Sequence, residues 1–175
     1  MPREPGEGYS LRDPERAHSC EPECTIVVHM HRKMFCFGAH WAFYNTPPMD
    51  ALKKKARERG EKLKLPYAGA LLPSEAHALM QAGAKLVDVR TEAEHHYVGA
   101  VPGSDHIEWS TFPDGNRNPD FLQQLEKTAP RDAVVMFLCR SGVRSHNAAI
   151  AATQAGWREA YNILEGFEGD KDAEG

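Results

Sequence analysis

A short apolar run that stops at a cysteine constrains this chain more than anything else in it. Residues 134–138, Val-Val-Met-Phe-Leu, have the length and composition of a buried strand, and Cys139 follows directly. Six residues come next, Arg140-Ser141-Gly142-Val143-Arg144-Ser145, with two arginines and one glycine, and then an alanine-rich stretch over 146–155 that reads as a helix. Strand, loop and helix in that order place the cysteine at the C-terminal edge of a sheet, just ahead of a helix N-terminus. In α/β sheets this is the edge at which ligands bind.

The chemistry of the loop follows from its residue types. A helix N-terminus offers free backbone N–H groups and positive potential, and both favour negative charge on a sulfur placed there. Arg140 and Arg144 act in the same direction. Successive N–H groups over 140–145 can turn inward as an anion-binding nest, and Gly142 permits the left-handed backbone that such a curl requires. Ser145 is expected as N-cap of the helix that follows. The expected arrangement is a cradle for one nucleophilic sulfur, Cys139, and for an anionic substrate held by permanently charged arginines. A buried core cysteine is the plainer alternative for a residue that ends a strand. Two arginines and a helix start beside it favour the nucleophile.

The rest of the chain alternates between strand and helix. Strands are expected over 67–72, 85–89, 105–109, 133–138 and 160–164. Helices are expected over 74–82, with Ser74 as N-cap and Gly83 as stop, over 92–98, over 120–128 with Phe121, Leu122 and Leu125 on one face, and over 146–155. Residues 112–119, rich in Pro and Asn, read as a loop. This alternation implies an α/β fold, a small parallel β-sheet with helices on both faces. Asp88, near the end of a buried strand, is expected to pair with a loop arginine and to support the site. His106, Trp109 and Phe112 follow another strand, and ordinary packing is favoured for them over lining the site.

Ahead of this pattern the sequence changes character. Residues 1–48 read as a poorly structured extension, with Pro, Glu and Arg prominent in its first half. Its Cys20, Cys24, His29, His31, Cys36 and His40 are zinc-ligand types, but Cys-x3-Cys and His-x-His spacings fit no common finger, so no metal is assigned. Residues 49–65, with Lys53-Lys54-Lys55, form a charged lead-in expected as an exposed helix. Residues 66–169 form the folded domain, and 170–175 a flexible tail.

Composition excludes several classes of function. Net charge is −4 with no basic stripe, so nucleic acid is not an expected partner. No apolar run approaches membrane-spanning length, and the polar first residues carry no signal-peptide core. Four unevenly spaced cysteines suggest no disulfide framework, and a reducing, cytoplasmic setting suits a working thiol.

Four motifs, in order, give the chain a family resemblance. Cys139-Arg140-Ser141-Gly142-Val143-Arg144 resembles the Cys-Arg-x-Gly-x-Arg active-site loop of the rhodanese-like sulfurtransferases. Asp88-Val89-Arg90 is similar to their Asp-x-Arg strand, and Gly99-Ala100-Val101-Pro102-Gly103-Ser104 to their Gly-His-Ile-Pro-Gly-Ala turn, with alanine in place of histidine. Leu164-Glu165-Gly166-Phe167 is similar to their Leu-x-Gly-Gly-aromatic end, with the second glycine missing. Family members continue into a final helix. Here only a polar stretch follows, so that helix is expected to be missing and one sheet face partly open.

The resemblance implies a thiosulfate sulfurtransferase. Cys139 and Arg144 are then the catalytic residues, Cys139 as nucleophile and persulfide carrier and Arg144, with Arg140, binding the donor anion and shaping the loop. Arg140, Ser141, Gly142, Val143 and Ser145 bind the donor, and Asp88 and Arg90 give structural support. The partners implied are a small thiosulfate-like donor and a thiol or cyanide acceptor, a protein acceptor included. No cofactor is implied. Two rivals stay open. Cysteine phosphatases and arsenate reductases use a longer Cys-x5-Arg loop, whereas the spacing here is Cys-x4-Arg. The other rival is a non-enzymatic sulfur carrier or interaction module.

Overall fold

The computed structural model describes residues 48–169. The zinc-type side chains between Cys20 and His40, and the tail over 170–175, lie outside the described residues. Ten elements follow one another. They are α1 (Met49–Lys62), β1 (Gly69–Leu71), α2 (Pro73–Gln81), β2 (Lys85–Asp88), α3 (Glu92–Val98), β3 (Asp105–His106), α4 (Phe121–Thr128), β4 (Val135–Leu138), α5 (Val143–Gln154) and β5 (Ala160–Ile163). The strands pair in parallel, in the order β1-β5-β4-β2-β3.

Parallel strands need crossovers, and these put helices on both faces. The strand sequences show the consequence directly. Every residue of β4 is buried, and alternate residues serve opposite layers. Val135 and Phe137 pack with Phe121 and Leu125 of α4 and with Ala148, Ala149 and Ala152 of α5. Met136 and Leu138 pack with Leu52 and Ala56 of α1 and with Ala76 and Leu79 of α2. The small alanines of α5 let that helix lie close on the sheet. On the second face an open pocket of about 250 Å³ remains beside Leu86, Leu138, Ile163 and Phe167. Among the described residues no helix follows β5, and none is long and apolar enough to cross a membrane.

Three local expectations change. The lead-in helix is not simply exposed, since Leu52, Ala56 and Gly60 are buried against the sheet. Its approach depends on Gly69, where a Cβ would stand 2.3 Å from the Ala56 carbonyl oxygen. Ser74 is not the cap of α2. Pro73 occupies the first turn, where its fixed φ suits a helix start, and Leu72 takes the cap position with its backbone N–H donating to Glu75 at 2.9 Å. Strands are also shorter than expected, β1 covering 69–71 of 67–72, β4 135–138 of 133–138, and β3 least of all. β3 ends at His106, although Ile107 and Trp109 still donate backbone N–H groups to Asp88 and Val89.

The topology locates the site. After β2 the chain moves outward to β3, and after β4 it moves the other way to β5. Adjacent strands β2 and β4 therefore leave in opposite directions, and the crevice beyond their C-terminal ends is the switch point at which open α/β sheets bind ligands. Asp88 and Arg90 stand at one side of that crevice and Cys139 at the other.

Candidate active site at the Cys139 loop

Cys139 continues β4 into the loop, with its side chain on the α5 face and 1% exposed. Its Sγ accepts two hydrogen bonds. The Gly142 backbone N–H donates across 3.1 Å and the Ser145 hydroxyl across 3.2 Å. Gly142 reaches this position because its backbone is left-handed, φ 89° and ψ −15°, a conformation that costs glycine little and other residues more. The sulfur therefore sits against the first turn of α5, where backbone N–H groups lack helical partners.

The helix begins earlier than the sequence suggests, at Val143 rather than His146. Ser145 is consequently not its N-cap. Gly142 holds that position without a side-chain cap, and Ser145, fully buried one turn in, turns its hydroxyl to the sulfur instead. The next residue anchors the turn, with His146 Nδ1 2.6 Å from the hydroxyl of Tyr67. Burial pushes that phenol up to about 12, so it stays protonated. Ser141 and Val143 are exposed to solvent.

The two arginines have different surroundings. Arg144 is partly buried and forms a bidentate pair with Glu94 of α3, at 2.6 and 2.7 Å. The Arg144 hydrogen bonds hold the Glu94 carboxyl down at about 2, with Thr91 assisting against the effect of burial. Arg140 is exposed, and its Nε donates to Glu168 at 2.5 Å.

Asp88 does not meet a loop arginine, contrary to the expectation from sequence. Residues two apart in extended backbone face the same way, so its own Arg90 reaches it first. Arg90 Nε lies 3.0 Å from both carboxylate oxygens and Nη2 2.7 Å from Oδ2. Both residues are buried. Arg90 also donates to the Gly99 carbonyl at 2.8 Å and lies 3.7 Å above the ring of Phe167. His95 Nε2 approaches Asp88 Oδ2 at 2.9 Å, and His95 stacks on His106 with ring centroids 3.8 Å apart. Thus Asp88 and Arg90 tie together β2, the turn at Gly99 and the segment after β5.

Two residues that contact the loop were not singled out in the sequence, Glu94 and Glu168. Glu94 had a legible signal. Thr91-x-x-Glu94 is a capping box, and it forms, with Glu94 N–H donating to the Thr91 hydroxyl and Thr91 N–H to the carboxylate. Glu168 had none, because its contact depends on a turn far along the chain. Of the aromatic candidates, Trp109 packs edge-on to Phe121 and under Arg117, Phe112 is exposed, and His106 belongs to the histidine stack. Among the described residues no group of three or more His, Cys, Asp or Glu side chains could hold a metal ion.

The chain is similar to known proteins over the stretch that holds this loop. A family model described as Rhodanese-like domain matches residues 72–173. An uncharacterized protein of Rickettsia conorii is 39% identical over 92 residues, spanning 51% of this chain and 74% of the relative. Thiosulfate sulfurtransferase GlpE of Haemophilus influenzae is 30% identical over 99 residues, spanning 57% and 84%. The crystal structure of Rv0390 from M. tuberculosis superposes with a TM-score of 0.53 at 45% identity, covering 62% of this chain and 86% of that one.

Proposed function

Since the chain belongs to the rhodanese-like domain family, we propose that it moves sulfane sulfur from a thiosulfate-like donor, through a persulfide on Cys139, to a thiophilic acceptor such as cyanide or a thiol. The observation that carries this reading is the pair of donors, Gly142 N–H and Ser145 O–H, aimed at one sulfur at the start of α5. Donors fixed around an atom that carries negative charge stabilise that charge without reorganising.

In the first half-reaction the Cys139 thiolate attacks the outer sulfur of the donor. A new sulfur–sulfur bond forms, the donor's own sulfur–sulfur bond breaks, and sulfite leaves with the electron pair. In the second, the acceptor takes the outer sulfur and the thiolate returns. Arg140, the exposed cation of the loop, meets the donor anion. Arg144, held by Glu94, keeps the loop in shape, and Ser141, Gly142, Val143 and Ser145 complete the donor site. Asp88 and Arg90 support it from β2. We assign this chemistry to residues 66–169, with α1 as a brace.

The enclosure of Cys139, 1% exposed, favours sulfur transfer over phosphate chemistry. A slim terminal sulfur can reach Sγ in a tight loop, whereas a tetrahedral oxyanion needs a wider ring of donors. Mass spectrometry after incubation with thiosulfate tests the reading. The expected result is one added sulfur on the peptide containing Cys139, removed again by cyanide. A peptide left unmodified by saturating thiosulfate and by a monoanionic thiosulfonate alike overturns it.

A further inference from the structure

Both loop guanidiniums end on carboxylates, and the pair formed by Arg140 is the one open to the donor. That pair is not a chance meeting of two mobile side chains. Glu168 donates its backbone N–H to the Arg140 carbonyl at 3.1 Å, and Phe167 donates to the Cys139 carbonyl at 2.8 Å. Gly166 runs so close to the loop that a Cβ would stand 2.4 Å from the Arg140 carbonyl oxygen. The turn over 166–168 is thus fastened along the loop backbone, and it carries a carboxylate to the loop's exposed cation. The two side chains are 63% and 50% exposed, so their pairing adds little stability. Its consequence is charge. With Glu94 on Arg144 and Glu168 on Arg140, the loop cations present no net charge to an incoming anion.

We propose that Glu168 is a specificity-determining residue that biases the site against dianionic donors such as thiosulfate and toward sulfane-sulfur donors with a single negative charge, organic persulfides and thiosulfonates. The proposal rests on the sulfurtransferase reading of Cys139. Coulomb energy is proportional to the charge of the ligand, so one fixed carboxylate opposes a dianion twice as strongly as a monoanion in the same place. The chemical step is the same for both. With a thiosulfonate, R–SO2–S−, the Cys139 thiolate bonds to the outer sulfur, the sulfur–sulfur bond of the donor breaks, and its electron pair leaves on the sulfinate, R–SO2−. Cys139 keeps the persulfide.

The test compares thiosulfate with methanethiosulfonate, with cyanide as acceptor, at low salt, for wild type and Glu168→Gln. The variant is expected to lower KM for thiosulfate about tenfold and for methanethiosulfonate about threefold, the logarithms standing near two to one. Turnover at saturation should stay within about twofold, and both gains should shrink at about 0.5 M salt. Glu168→Ala, which also removes the hydrogen bond to Arg140, should behave like the glutamine variant if charge is the cause. Equal gains for the two donors, or none, overturn the proposal. If neither donor leaves an added sulfur on Cys139 of the wild type, the sulfurtransferase reading fails and the proposal fails with it.

Discussion

Ser145, fully buried in the first turn of α5, donates its hydroxyl hydrogen to Cys139 Sγ across 3.2 Å. Only one other hydrogen bond reaches that sulfur among the described residues, from the Gly142 backbone. A hydrogen bond to a charged acceptor contributes about 1.5–3 kcal/mol. Ser145→Ala removes it with almost no change of volume. Single-turnover persulfidation by thiosulfate should slow by roughly 10–100-fold, with the fold retained by circular dichroism. Cys139→Ser is the reference, expected to abolish transfer to cyanide while leaving the fold intact. A Ser145→Ala enzyme as fast as wild type would remove the hydroxyl from the mechanism.

Glu94 links α3 to the loop through Arg144, and the pair gives acid stability a definite sign. Its carboxyl is pushed from an ordinary 4.5 to about 2. A carboxylate depressed in the folded state stabilises the fold above its unfolded pKa, and this contribution is lost as pH falls toward the folded one. The loss should therefore develop between about pH 4.5 and pH 2. Glu94→Gln should be less stable than wild type at pH 7, and the gap should close through that window. Thermal melts from pH 7 to pH 2 measure it, and a constant gap contradicts the assignment.

Gly69 tests the brace formed by α1. A methyl at this position would meet the backbone of Ala56 and Arg57 at 2.3–2.8 Å, and backbone cannot step aside as a flexible side chain can. Gly69→Ala should destabilise the fold by about 1–3 kcal/mol, the usual cost of overpacking. Chemical denaturation of the variant checks this, and an unchanged midpoint would mean that α1 is free to move off the strand.

Loop length is open to direct manipulation. One residue inserted between Gly142 and Val143 would convert Cys-x4-Arg to Cys-x5-Arg and separate Gly142 from the helix that it caps. The Gly142 N–H and the Ser145 hydroxyl could then no longer converge on one atom. Sulfur transfer should fall sharply, and weak binding of arsenate or phosphate should rise, both measurable by turnover and calorimetry. Unchanged thiosulfate turnover would show that loop size does not select sulfur over phosphate here.

What the sequence determined by itself was whatever depends on near neighbours. The helix over Glu92–Val98 has the bounds expected from sequence, because a capping box at one end and a glycine at the other act within a few residues of it. The parallel α/β architecture follows from the spacing of short apolar runs and intervening helices, and the position of Cys139 from the run that it ends. Tertiary structure decided the rest. The start of α5 moved to Val143 because a left-handed Gly142 and a sulfur acceptor replaced the expected serine cap. Arg144 took Glu94, fifty positions away, because Asp88 was already engaged by Arg90. Arg140 took Glu168 because a turn after β5 is fastened to the loop backbone. A guanidinium can pair with any carboxylate within its reach, so its partner is chosen by the packing of strands and turns and not by the residues beside it in the chain.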